Sequence, residues 1–337
     1  MQTAFSRGRA VPVAAQRVVV VGRRACTVKA SVQTPGPTSE VPATTPELRN
    51  AGPEPKRFTV ADGQLGEVAS ASLPALLRFG SGGLVVGYNV GLAEDDGKYA
   101  VARVGGRKVA ETGQVTGLKR PARPLELYEF EGCPFCKKAT LLRFIARSFT
   151  QVREAICALD LDVMVYPCPK DGATWRPKAI ELGGKKQFPF LVDPNTGKQM
   201  YESDDIIAYL FKEYGNGAEL PLPLRLGSLT TITCALGALP RAGRGNYYRK
   251  SRQPAQPLVF WGYEMSPFVK LARETLCELE LPYLYRTVAR GSPKRQELLD
   301  KRGHFQVPYL EDVNEGVYLF ESSAIVKYLN DTYGVKA

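Results

Sequence analysis

The sequence predicts an α/β protein built from two consecutive units, each with the element order βαβαββα. Two internal matches carry this prediction. Cys-Pro-Phe-Cys at residues 133–136 corresponds to Ser-Pro-Phe-Val at 266–269, and Gln-Phe-Pro-Phe-Leu at 187–191 corresponds to Gln-Val-Pro-Tyr-Leu at 306–310. Short apolar strand patterns alternate with helical patterns at the same places in both units. A small β-hairpin extension and a disordered N-terminus are predicted ahead of the two units.

The elements of each unit follow from the same landmarks. A short apolar strand leads to a helix with proline in its first turn, and a second strand and a basic helical stretch follow. A third strand begins at a proline, a turn leads to a fourth, and a last helix begins at a Glu-Ser pair. These landmarks are Leu125–Tyr128, Pro189 and Glu202-Ser203 in the first unit, and Leu258–Trp261, Pro308 and Glu321-Ser322 in the second.

The spacing of the repeat changes within the first helix. The offset between equivalent residues is 133 at Cys133 and Ser266 but 120 at Cys157 and Cys277, so about thirteen residues near 139–151 are extra. Because a helix turns by about 100° per residue, a continuous longer helix would rotate Cys157 away from the sheet. We therefore expect a segment that loops out or kinks, or a sequence error such as a retained short intron.

The net charge of +11 is concentrated at the N-terminus, where residues 1–39 contain six Arg or Lys and no Asp or Glu. No basic run interleaved with aromatic residues follows it, so nucleic-acid binding is not expected. An acid-free segment with scattered arginines is typical of an organelle transit peptide, here of the chloroplast type, and a disordered basic tail is the alternative. No stretch of 18 apolar residues predicts a transmembrane span, which leaves peripheral thylakoid association open.

The expected organisation therefore has six parts. They are a chloroplast transit peptide over 1–30, a disordered linker over 31–62, a β-rich extension over 63–120, the first unit over 124–216, an interdomain linker with an apolar segment over 217–256, and the second unit over 257–335.

Of the seven cysteines, Cys133 and Cys136 form a C-x-x-C pattern, which favours a redox motif over a secreted disulfide framework. A thiol at the start of a helix meets unpaired N–H groups and the positive end of the helix dipole, which favour the thiolate. Cys136, one turn later, could resolve a mixed disulfide. A structural cysteine pair or a zinc site is the alternative, but zinc needs two more ligands and the single histidine, His304, lies in the other unit.

By Cys-Pro-Phe-Cys, Phe188-Pro189 and Glu202-Ser203-Asp204, residues 124–215 resemble a glutaredoxin or the N-terminal domain of a glutathione transferase, both of thioredoxin-like fold. Residues from about 60 to 335 resemble a plant and algal chloroplast family with tandem domains of this type. The first unit also resembles the membrane-associated prostaglandin E synthase of the second type. Glutaredoxins carry Lys where this chain has Phe130, which is a departure from the pattern of efficient glutaredoxins. No all-helical domain follows either unit, so the conjugation activity of glutathione transferases is not expected.

The resemblance implies that glutathione is a co-substrate. It implies that Pro189 is cis, that the backbone at Phe188 binds the glutathione cysteine, and that Glu202 and Ser203 hold the γ-glutamyl carboxylate. Simple N-capping by Ser203 is the alternative. Further glutathione-binding candidates in the second unit are Ser266, Val307, Pro308, Glu321 and Ser322, with N-capping as the alternative interpretation of Ser266.

The sequence thus leads to the hypothesis of a chloroplast glutathione-linked thiol–disulfide oxidoreductase. Cys133 would attack, Cys136 would resolve, and the partners would be glutathione and protein disulfides. One alternative is a non-catalytic binding or scaffold protein, favoured by the absence of both thiols from the second unit. Another is glutathione-assisted binding of an iron–sulfur cluster or haem, although no metal ligand set is predicted.

Overall fold

One mixed β-sheet runs through both repeat units. The computed structural model describes residues 47–56, 59–77, 80–131, 149–225, 241 and 243–335, and all of them belong to one compact unit, Pro46–Ala337. Cys133, Cys136 and the predicted transit peptide lie outside these residues. None of the helices in the described ranges has the length and apolar composition needed to cross a membrane.

The residues ahead of the first unit form an N-terminal extension, defined here as the described part of 47–112. Its elements are β1 (Arg49–Asn50), α1 (Leu65–Leu77), β2 (Asn89–Glu94), β3 (Ala102–Val104) and β4 (Arg107–Thr112). The last three strands form a separate sheet in the order β2-β4-β3, and a short 3₁₀ turn at Gln114–Gly117 follows.

The two units have matching elements. The first contains β5 (Leu125–Glu129), α2 (Phe149–Ala158), β6 (Asp162–Pro167), α3 (Trp175–Gly183), β7 (Phe190–Asp193), β8 (Lys198–Tyr201) and α4 (Ser203–Tyr214), and a short α5 (Leu222–Arg225) follows it. The second contains β9 (Leu258–Gly262), α6 (Pro267–Glu278), β10 (Tyr283–Thr287), α7 (Lys294–Arg302), β11 (Tyr309–Asp312), β12 (Val317–Phe320) and α8 (Ser322–Tyr333). The predicted order βαβαββα is confirmed in both.

The two four-stranded sheets join edge to edge. Each has two parallel strands at its inner edge and two antiparallel strands outside them, and β6 of the first pairs antiparallel with β10 of the second. In this register Tyr283 lies opposite Val165 and Arg286 opposite Asp162. The described sheet has the order β1-β12-β11-β9-β10-β6-β5-β7-β8. Pairing the two inner edges removes them as exposed strand edges.

The units also share a hydrophobic core. On the sheet face covered by α2, α4, α6 and α8, the buried side chains of both units form one continuous cluster that includes Leu127, Ile206, Phe260 and Ile325. On the other face each unit has its own aromatic cluster, centred on Tyr128 in the first and on Trp261 in the second. The shared core makes the two units one folded body.

The described part of the first helix keeps the register of its counterpart in the second unit. Cys157 and Cys277 are both buried, as their shared position predicts, and Val152 is buried like Ala272. Helix α2 therefore follows the offset of 120 residues from its C-terminal end back to Val152. Its predicted start at Cys133 and most of the extra residues lie outside the described part of the chain.

The extension holds more than the predicted hairpin. β2 begins at Asn89, and Leu84 ahead of it forms an isolated bridge with Arg290. β2 and β3 both pair with β4, so this sheet has three strands. Helix α1 was not predicted, because Gly66 and Pro74 lie within it and both lower helix propensity. It is stabilised by packing on the second unit.

Asp193, the last residue of β7, holds α4, the last helix of the first unit. Its Oδ2 accepts hydrogen bonds from the hydroxyls of Tyr209 and Tyr214, each at 2.5 Å, and the same arrangement surrounds Asp312 in the second unit. Burial acts to raise the pKa of Asp193, but the bonds from Tyr209, Tyr214 and Asn195 outweigh it and lower the pKa to about 2.

Asp193→Asn is therefore expected to destabilise the protein in a pH-dependent way. An acid whose pKa is lowered by folding stabilises the fold above its ordinary pKa of 3.8 and loses that contribution as the pH falls towards 2. We expect about 1 kcal/mol after allowing for solvent screening. Urea unfolding at about pH 5 and about pH 2.5 should show the difference shrinking with acid, beside the exposed control Asp331→Asn. A difference independent of pH would contradict this.

Candidate functional site

Three parts of the first unit converge beside the end of β5. The Phe188–Pro189 peptide bond is cis, and the Phe188 ring lies edge-on to Phe130, 6.0 Å between ring centres. Gln187 Nε2 donates to Glu202 Oε1 at 2.6 Å, which ties the proline loop to the start of α4. The structure thus brings together the end of β5, Phe188-Pro189 and Glu202-Ser203.

The start of α4 has an unusual backbone. Glu202 has a φ of 65°, in the left-handed region, and it occupies the N-cap position without a side-chain capping bond in the described residues. A strained non-glycine residue at such a place is common at ligand-binding sites. Ser203 is the first helical residue and is buried, so it does not occupy the N-cap position of the alternative interpretation. The N–H groups of the first turn are the anion-binding groups of a helix N-terminus.

Sequence reasoning missed Arg176 in this site. Its guanidinium lies over the rings of Phe130, at 5.3 Å, and Phe188, at 4.8 Å. Nε donates to the Pro169 carbonyl at 2.8 Å and Nη2 to the Cys168 carbonyl at 2.9 Å. Two backbone bonds and two aromatic contacts fix a cation beside the proline loop. The repeat offered a signal, because Arg295 occupies the equivalent position.

The chain just before Cys133 is held by a buried network of charges from both units. Glu131 accepts from Arg273 Nε at 2.6 Å and from Lys270 Nζ at 3.2 Å, both on α6 of the second unit. Reciprocally, Glu264 of the second unit pairs with Arg153 Nε of the first at 3.0 Å. Both arginines are about 1% exposed. The network links the segment that leads to the C-x-x-C pattern with the second unit.

Neighbouring carboxylates in this network differ in their protonation. Burial raises the pKa of Glu129 to about 7, although Arg153 Nη1 lies 2.8 Å from it. Burial also acts to raise the pKa of Glu131, but the charges of Arg153, Arg273 and Lys270 outweigh it and hold the pKa well below its ordinary value. Glu131 is therefore ionised at neutral pH, whereas the pKa of Glu129 is raised towards neutrality.

The cysteines that the structure describes are not suited to redox chemistry. Cys157, Cys168 and Cys277 are free and buried. Burial raises the pKa of Cys157 to about 12 and also raises the pKa values of Cys168 and Cys277 well above the ordinary thiol value. Thiols held protonated in this way are poor nucleophiles. None of these three thiols is therefore suited to disulfide exchange.

The second unit repeats the site without cysteines. The Val307–Pro308 bond is cis, Glu321 has a φ of 65°, and Gln306 Nε2 donates to Glu321 Oε1 at 2.6 Å. Ser322 is buried at the start of α8. Ser266 is the N-cap of α6, and its hydroxyl accepts from the Val269 N–H at 3.4 Å, which is the geometry of the N-capping interpretation.

Two parts of the chain match the same known domain family. Residues 148–218 and 260–337 each match the family model of the glutathione S-transferase N-terminal domain. Both units are thioredoxin-like domains. The first match begins after Cys136, so the C-x-x-C pattern lies outside the matched residues, whereas Ser266 lies within the second match.

Two curated relatives share this similarity. The Escherichia coli strain K12 protein named Glutathione S-transferase GstB is 38% identical over 81 residues, which are 23% of this chain and 39% of the relative. The protein of the same name from E. coli O6:H1 matches to the same extent. The chain thus spans 39% of the length of these relatives. No solved structure matches the chain significantly. Within the described residues, no three His, Cys, Asp or Glu side chains are grouped to hold a metal ion.

Proposed function

We propose that the chain is a glutathione-linked thiol–disulfide oxidoreductase that binds glutathione at the first thioredoxin-like domain. One observation carries the proposal: a cis proline loop, a left-handed Glu202 and the start of a helix are tied together by the bond from Gln187. Helix N–H groups suit the γ-glutamyl carboxylate, and an extended backbone at Phe188 suits the peptide of glutathione. The match to the glutathione S-transferase N-terminal domain supports the same ligand.

The proposed reaction uses Cys133 and Cys136. The Cys133 thiolate attacks the glutathione sulfur of a protein–glutathione mixed disulfide, forms a Cys133–glutathione disulfide and releases the protein thiolate, which takes up a proton. The Cys136 thiolate then attacks the Cys133 sulfur and releases glutathione as a thiolate. Two further glutathione molecules reduce the Cys133–Cys136 disulfide and leave as glutathione disulfide. No metal is needed in these steps.

The reduction of a glutathionylated protein by the purified full chain tests this function. Ser203→Ala is expected to raise KM for the glutathionylated substrate about fivefold, since the loss of one hydrogen bond to a charged group costs about 1 kcal/mol or more. Ser322→Ala, the equivalent change at the start of the last helix of the second domain, is the matched control and should leave KM unchanged. Absence of reduction by the wild-type chain would overturn the proposal.

A non-catalytic binding or scaffold role is the second candidate. It is favoured by the shared core and the buried charge network, which join a domain that lacks both thiols to one that contains them. Binding of glutathione by the wild-type chain without any thiol–disulfide exchange would support this binding or scaffold role.

We also propose that residues 1–30 direct the protein to the chloroplast. Their acid-free, arginine-containing composition supports this. Import of a fluorescent protein fused to residues 1–62 into isolated chloroplasts tests it, and exclusion of the fusion from chloroplasts would contradict it.

A further inference from the structure

The N-terminal extension lies on the second domain. Val68 and Ala71 of α1 form a buried cluster with Leu271 on α6, and Val60 and Phe268 pack at its edge. Phe268 belongs to the Ser-Pro-Phe-Val sequence that corresponds to the C-x-x-C pattern. The extension therefore covers the start of α6. This is the counterpart, in the second domain, of the helix start at which the first domain is proposed to carry its thiols.

A second contact lies just before Ser266. Gly80 and Gly83 pack so closely on Met265 that a Cβ at Gly83 would come within 2.6 Å of the Met265 sulfur. The same Cβ would lie 2.9 Å from the Gly80 carbonyl oxygen, which is a backbone atom, so a side chain at position 83 would force the turn and Met265 to shift. Ser266 itself is 5% exposed.

A third contact reaches the Glu321 carboxylate. β1 pairs with the outer strand β12, and the chain then passes the start of α8. The backbone N–H of Lys56 donates to Glu321 Oε1 at 3.0 Å. In the first domain, the equivalent outer strand, β8, ends the described sheet, and no segment of the extension pairs with it.

A fourth contact supplies hydrogen-bond partners to Arg295, the residue equivalent to Arg176. Arg295 Nη1 donates to the Tyr99 hydroxyl at 2.6 Å and lies 3.4 Å from a Glu111 carboxylate oxygen. The Tyr99 ring lies edge-on to Phe305, 5.1 Å between ring centres. Among the described residues, no acidic side chain pairs with Arg176.

We propose that the extension is a built-in ligand of the second domain. It touches three parts of that domain that correspond to parts of the glutathione site of the first: the helix start, the Glu-Ser pair and the arginine beside the proline loop. In the second domain, Arg295 binds the Glu111 carboxylate and the Tyr99 hydroxyl of the extension. In the first domain, Arg176 would bind the carboxylate of an incoming ligand instead. The chain then has one glutathione site, in the first domain, and this part of the inference rests on the proposed function.

Proteolysis tests the docking without glutathione. The Lys98–Tyr99 bond is a trypsin site, and Tyr99 is held by its hydroxyl and by its N–H, which donates to Gln296 Oε1 at 2.6 Å. Cleavage at Lys98 in the native full chain should be slow and should accelerate about fivefold or more in Tyr99→Phe and in Arg295→Met, since each loses a hydrogen bond that holds the segment. Arg176→Met, the equivalent change in the first domain, should not affect it. Unchanged cleavage in both Tyr99→Phe and Arg295→Met would overturn the docking.

Binding of S-methylglutathione, which cannot exchange thiols, tests the number of sites by calorimetry. We expect one molecule per chain, an affinity lowered about fivefold or more by Arg176→Met, and no change with Tyr99→Phe, which keeps the aromatic ring and therefore the fold. Two molecules per wild-type chain, or an affinity insensitive to Arg176→Met, would overturn the single-site assignment. No binding at all would overturn the proposed function instead, and the proteolysis would still decide the docking.

Discussion

Replacing Arg273 with methionine is expected to lower the free energy of unfolding by about 3 to 5 kcal/mol, the usual cost of breaking a buried ion pair by removing one partner. Arg273 Nε lies 2.6 Å from Glu131, and its Nη1 lies 2.7 Å from Glu264. Methionine fills much of the volume but supplies no charge. Two buried carboxylates, one from each domain, then lose a cation that water cannot replace.

The size of this effect follows from how little the network touches solvent. The side chains of Arg153, Arg273, Glu131 and Glu264 are each between 2% and 7% exposed. In such surroundings an unpaired carboxylate bears its full desolvation cost. Arg153 can compensate only in part, because it already neutralises Glu129 and Glu264. The domain interface should therefore weaken together with the fold.

Guanidinium chloride unfolding of the full chain measures the change. Lys327→Met, which removes the cation of an exposed pair with Asp331, is the control and should cost less than about 1 kcal/mol. The double variant Arg273→Met with Glu131→Leu should recover part of the loss, because it removes an acid together with its cation. A loss no larger than that of the control would show that the network does not stabilise the domain pair.

The fold was predictable because the chain repeats itself. Each element of the first domain has a counterpart with the same apolar spacing, and the landmarks Pro189 and Glu202-Ser203 lie where the repeat places them. The joining of β6 to β10 was not predictable, since both strands have the alternating pattern of any edge strand. Nothing local tells a strand whether its free edge meets water or another domain.

The site was predictable only where one short segment carries it. Phe188-Pro189 and Glu202-Ser203 are visible as motifs, whereas Arg176 is recognised only by the two aromatic rings over which it lies. The network of Glu131 with Arg273 joins residues 142 positions apart. Arginines at equivalent places in both repeats were visible in the sequence, but only the paired sheets show that each reaches the other domain's carboxylate.

Cys133→Ser is expected to abolish the reduction of glutathione mixed disulfides, down to the rate given by free glutathione. A hydroxyl at neutral pH is not a nucleophile towards sulfur, and no other cysteine in the described residues has an accessible thiolate. In the second domain, the equivalent residue Ser266 accepts a hydrogen bond from the backbone N–H of Val269, in the first turn of the helix. By the repeat, we expect the same helix start to favour the thiolate of Cys133.

Cys136→Ser separates the two thiols and completes the test. Glutathione can itself resolve the Cys133–glutathione disulfide, so this variant should still reduce glutathione mixed disulfides. It should lose the reduction of protein disulfides, for which a second thiol in the same chain must displace the bound protein. The coupled oxidation of NADPH by glutathione reductase follows both reactions. If Cys133→Ser retains the reduction of glutathione mixed disulfides, the attacking thiol is not Cys133, and the helix start of the first domain would serve binding rather than exchange.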